Sequence, residues 1–177
     1  MIAGIDVGLK RCHMAVIREN KVVYLGELRL DFPIKFAGID APLTMPERGF
    51  FRECERELHK IGVRIIPPIF LKRIHEIGVR IAEELRKKNV EVFEVYPYAT
   101  RWILGMKWSK KRKEGRFKIL EALKNYIDFP PTDDHNEIDA ILSALTVKMF
   151  LEGKGEVICG RDGCILIPHR SLLSQSS

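Results

Sequence analysis

The chain has 177 residues, 46 % hydrophobic and 31 % charged, which suits one globular domain with a sizeable core. No uncharged run approaches the roughly 20 residues that cross a bilayer, and Asp6 interrupts an N-terminal apolar stretch that no basic region precedes, so neither a membrane span nor a secretion signal is expected and the cytoplasm is the expected location. A net charge of +6 and a pI near 9.2 favour a polyanionic partner without naming one.

The opening Ile2 to Val7 reads as a strand with an acid on it. Side chains alternate between strand faces, so Ile2, Gly4, Asp6 and Gly8 share one face and the carboxylate sits between two glycines. Glycine weakens a strand and is tolerated where a ligand or another backbone comes close. Strands over His13 to Arg18 and Val22 to Leu30 follow, separated by a turn at Asn20, which predicts an antiparallel meander. The fourth strand, Phe36 to Asp40, repeats Ala-Gly-Ile-Asp letter for letter and ends before Pro42; its composition predicts burial on both faces. Each Asp also has an ordinary reading as a strand end or turn residue.

From about 45 to 90 the pattern turns helical, with Phe51, Cys54, Leu58 and Ile61 at helical spacing, a break at Pro67 and Pro68, and a second run from Ile69 to Leu85. This reads as an insertion after the fourth strand. Arg48, Arg52 and Arg56 on it could line a phosphate channel or pair with Glu53 and Glu57. Glu91 to Val95 is a fifth strand with Glu94 near its end. Lys107 to Lys118 then carries seven positive charges and one negative, interleaved with Trp108 and Phe117, and Trp102 just before it. Such a segment either tracks phosphates and stacks bases, through Lys110, Lys111, Arg112, Lys113 and Arg116, or is a solvated basic loop with Trp102 in the core.

Helices are expected from Arg116 to Tyr126 and from about His135 to Leu151. The second has an apolar face of Ile138, Ile141, Leu142 and Leu145, with His135, Asn136, Asp139 and Ser143 along its edge. Asp134 has a structural explanation as an N-cap, with Glu137 three residues on. Asp139 has none. Val157 to Ile167 closes as a hairpin, and residues from about 171 to 177 are expected to be disordered. The four cysteines lack CxxC spacing and paired histidines, so no zinc site is expected. One glutamine among abundant Lys, Arg and Glu resembles proteins from hot environments, where a disulfide such as Cys159 to Cys164 across the hairpin is compatible with an intracellular location.

Carboxylates gathered from two strands and a helix need a counter-charge, and hard oxygen ligands select magnesium or manganese. Two such ions can activate water and stabilise the leaving oxygen of a phosphodiester. GIDVG, AGIDAPL, RECERELHKIG, EVYPYATRWILG, KKRKEGR and DDHNEIDAILSAL resemble an uncharacterised family of ribonuclease H-like nucleases, distantly similar to RuvC-type resolvases, over residues 2 to about 168. The resemblance implies an α/β fold: a mixed five-stranded sheet flanked by helices, strands four and five parallel to the first, and metal-dependent cleavage of DNA or RNA. It implies Asp6, Asp40 and Asp139 as ligands, with Glu94 as a further ligand or base. Asn136 stands where resolvases carry the first of two helix acids, and brings a carbonyl oxygen without charge. His135 is a candidate proton shuttle or an exposed helix-start histidine. Resolvases of this fold act as dimers, which makes a homodimer an expectation. Two other classes stay open: a non-catalytic nucleic-acid-binding module, which Asn136 favours, and an ATP-handling protein of the actin type, suggested by DVG and disfavoured by length.

Overall fold

The computed structural model describes residues 1–175. β1 (Ile2–Asp6), β2 (His13–Arg18), β3 (Lys21–Glu27), β4 (Phe36–Asp40) and β5 (Glu91–Glu94) form one sheet in the order β3-β2-β1-β4-β5. β1, β2 and β3 form an antiparallel meander, and β4 and β5 run parallel to β1. This is the expected mixed five-stranded α/β sheet, flanked by helices.

Strand alternation decides which helix covers which face. Ala3, Ile5 and Val7 with Met14, Val16, Ala37, Ile39 and Ala41 face α2 (Lys72–Lys87), which contributes Ile81, Ala82 and Leu85 to that half of the core. Ala15 and Ile17 on the other face pack with α5 (His135–Leu151), whose Ile138, Ile141, Leu142 and Leu145 are almost wholly buried. α5 is thus the central helix, apolar on nearly every side, as a helix enclosed by its neighbours must be.

The insertion contains α1 (Glu53–Lys60), a short 3-10 helix at Pro68–Leu71 and α2. After β5 come α3 (Pro97–Ile103), α4 (Lys113–Leu123), α5, and a hairpin of β6 (Gly155–Gly160) and β7 (Gly163–Pro168). α1, α3 and the hairpin share a third cluster around Cys54, Leu58, Ile103, Ile158 and Ile167. Cys159 and Cys164, register partners across the hairpin, form a disulfide with S–S 2.09 Å. Among the described residues, no helix is long and apolar enough to cross a membrane.

Three features depart from the sequence reading. α3 is an additional helix, with Pro97 in its first turn, where proline's fixed φ suits a helix start. β3 ends at Glu27; the Leu28 N–H still donates to the Cys12 carbonyl at 2.9 Å, and Leu28 and Leu30 pack against the core on the α2 side. The segment expected to be disordered begins as a 3-10 helix, Arg170–Gln175, because Leu172 and Leu173 pack on the apolar clusters; Ser176 and Ser177 lie outside the described residues.

Candidate metal centre

β1 and β4 pair so that Gly4 lies opposite Gly38 and Asp6 opposite Asp40. The two glycines let α5 lie on the sheet at backbone distance: a Cβ on Gly4 would stand 2.1 Å from the Ala140 carbonyl oxygen and the Ala144 nitrogen, and one on Gly38 would stand 2.7 Å from the Ser143 carbonyl oxygen. Two residues further along each strand, on the same face, Asp6 and Asp40 meet the start of that helix and Asp139. Each of the three carboxylates offers an oxygen, and these atoms all lie within 4.8 Å of one another. Asp6 is 9 % exposed and Asp139 6 %.

The charges are poorly compensated. Burial pushes the Asp6 carboxyl above the usual carboxylate range, against attraction from Lys110, His13 and His135. Burial, and then repulsion from Asp6 and Glu94, raises Asp40 to about 8, with Lys110 opposing. Lys110 Nζ pairs directly with Asp139 Oδ2. An all-oxygen, net-negative cluster of this kind suits a hard divalent cation such as magnesium or manganese.

His13, which the sequence reading did not single out, is the register partner of Asp6 and so shares its face. Its Nε2 lies 3.8 Å from Asp134 Oδ2, and its Nδ1 is buried without a hydrogen-bond partner. The signal for it was the pairing of the first hairpin, not any motif. Asp134 caps α5 by accepting from the Asn136 backbone N–H at 2.8 Å. Glu137 does not complete a reciprocal cap; it accepts from the Thr132 hydroxyl, which in turn accepts from the Asp134 N–H. Asn136 is half-buried, and His135 is exposed, 3.9 Å from Asp134.

Glu94 is not brought to the cluster, and register explains why. Its partner on β4 is Ile39, whose side chain faces α2, whereas Asp40, one residue on, faces α5. Glu94 instead accepts from the Leu43 N–H at 2.7 Å and from both terminal nitrogens of Arg52. Arg52, 1 % exposed, also donates to Glu55 at 2.6 and 3.0 Å, so it braces the insertion. Arg48 is exposed, and Arg56 is exposed with its guanidinium on the Phe51 carbonyl.

The basic stretch divides in two. Lys110 points into the carboxylates and Arg116 pairs with Asp133, while Lys111, Arg112 and Lys113 are exposed beside Trp108, 41 % exposed. Phe117 is 62 % exposed on α4. Trp102 is half-buried and donates to the Ile61 carbonyl at 3.0 Å.

No family model matches the chain, and no curated protein sequence matches it. Among solved structures it is similar to T. thermophilus RuvC in complex with a Holliday junction substrate, with a TM-score of 0.48 and 15 % identity over 86 % of this chain and 94 % of that one.

Proposed function

We propose that the protein is a metal-dependent nuclease that hydrolyses phosphodiester bonds of a nucleic acid, DNA or RNA. The observation that carries this reading is the convergence of Asp6, Asp40 and Asp139 within 4.8 Å, with the exposed cations Lys111, Arg112 and Lys113 at the adjoining loop and the start of α4. Magnesium or manganese held by these oxygens would supply the positive charge that activates water and offsets charge gathering on the scissile phosphate. The chain's own part is placement. β1 and β4 fix Asp6 and Asp40 at strand ends, α5 fixes Asp139, and the basic loop holds the phosphate backbone across the opening. In the reaction the water oxygen gives up a proton and bonds to phosphorus, one P–O ester bond breaks, and the departing oxygen gains a proton; His13 and His135, near Asp6, are the side chains placed beside these transfers.

The test is cleavage of single-stranded, duplex, hybrid and branched substrates with manganese, by wild type and by Asp6→Asn. Cleavage lost in the variant supports the nuclease and identifies the substrate. A second reading, a nucleic-acid-binding module without chemistry, is favoured by one observation: the fourth acid, Glu94, is bound by Arg52. Nucleic-acid binding without cleavage by wild type, unchanged in Asp6→Asn, would establish it instead.

A further inference from the structure

Lys110 is the one cation among the described residues paired with the carboxylates of the cluster, and its loop is built to put it there. Arg101, buried in α3, donates to the carbonyls of Trp108 at 2.8 Å and Met106 at 3.3 Å. Arg116 donates to the Lys110 carbonyl at 3.1 Å. Gly115 at the start of α4 lets Ser109 approach so closely that a Cβ would meet its carbonyl oxygen at 2.0 Å. The backbone on both sides of Lys110 is thus anchored by α3 and α4, and the side chain is half-buried with its ammonium on Asp139 and attracted by Asp6 and Asp40. A free surface lysine would not need such scaffolding.

Charge counting then limits what else the centre can take. Asp6, Asp40 and Asp139 together with Lys110 leave two negative charges, which one divalent cation cancels. A second divalent cation would place two surplus positive charges in a desolvated space, where Asn136 brings no charge and Glu94 is turned away from the cluster onto Arg52. We propose that Lys110 is a resident second cation: the centre binds a single divalent metal, and the ammonium takes the place that a second metal ion would fill against the substrate phosphate. The pair of metal ions expected from the carboxylates alone is thereby replaced by one ion and one lysine. This rests on the metal-dependent reading above, and deepens it.

The test is titration of the full chain with manganese, followed by calorimetry and by electron paramagnetic resonance of the bound ion. Wild type is expected to bind one manganese per chain with the spectrum of an isolated ion. Lys110→Met should bind two, with the broadened spectrum of a coupled pair, and Lys111→Met, which removes the same charge from the exposed neighbour, should bind one. Thermal melts of each variant confirm folding. Two ions in wild type, or one in Lys110→Met, would overturn the assignment. No binding by folded wild type would overturn it together with the nuclease, whereas these stoichiometries without cleavage of any nucleic acid would uphold the lysine and remove the nuclease.

Discussion

Gly4 and Gly38 face each other across β1 and β4, and the backbone of α5 rests on both. The repeated Ala-Gly-Ile-Asp is therefore two halves of one device. The glycine of each copy seats the helix, and the aspartate two residues later, on the same face, reaches the place where that helix begins. Asp139 lies one turn before Ser143, whose carbonyl is against Gly38, so the glycine contact and the carboxylate cluster are set by the same approach.

Gly4→Ala should consequently damage both. Its Cβ would meet backbone atoms of α5 that no rotamer change can move, and overpacking of this kind costs about 3 kcal/mol. Denaturant unfolding is expected to show that loss, and manganese affinity should fall with it, because α5 must shift and take Asp139 along. Unchanged stability would mean that the helix does not sit where the two strands place it.

Much of this was legible because period and pairing are written locally. Asp6 and Asp40 announced themselves by sharing a motif, and Asp139 by being an acid between Ile138 and Ala140 with no capping role. Glu94 was misleading, since being near a strand end is visible in the sequence whereas a one-residue offset against Ile39 is not. Lys110 looked like its basic neighbours because charge composition says nothing of direction; its anchoring by Arg101 and Arg116 is tertiary. His13 became significant only through its pairing with Asp6, and α3 hid behind a Pro97 that reads equally as a strand stop and a helix start.

Arg52 and Glu94 give a sharp division between bracing and ligation. Arg52→Met leaves Glu55 and Glu94 buried without their cation, and breaking such a network by removing one partner costs about 3–5 kcal/mol. Glu94→Gln keeps the shape and should cost less. Manganese affinity in Glu94→Gln should stay near that of wild type, while Asp139→Asn loses more than the roughly hundredfold that changing a group behind the ligands can cost. A Glu94→Gln variant unable to bind manganese would return Glu94 to the ligand set.

The pH dependence follows from Asp40. Its carboxyl is raised from 3.8 to about 8 in the folded chain, first by burial and then by Asp6 and Glu94, so between those values the folded state holds a proton that the unfolded state has lost. Its contribution to stability is full below the unfolded value and disappears as pH rises through 8. Metal-free protein should lose stability from pH 5 to 8, at up to about 1.4 kcal/mol per pH unit for one proton. Saturating manganese should flatten the slope, because a divalent cation favours the carboxylate. Asp40→Asn should flatten it without metal. Unfolding curves at several pH values, in chelator and in manganese, measure all three, and a metal-free stability that rises over this range would contradict the assignment.

The exposed half of the basic stretch makes a prediction of its own. Lys113 opens α4, where a positive charge opposes the helix dipole, so the position gains nothing in helix stability from its charge. Lys111 and Arg112 are likewise exposed, and neutralising all three leaves the fold intact. If each meets a phosphate, the slope of log affinity against log salt should shrink by about 0.9 per lost contact on duplex DNA and about 0.7 on single strands. The triple variant should therefore bind nucleic acid more weakly at low salt and converge with wild type at high salt. Lys110→Met removes a single cation and should shrink the slope by no more than one such contact. Equal slopes for wild type and the triple variant would place the phosphate track on another face of the molecule.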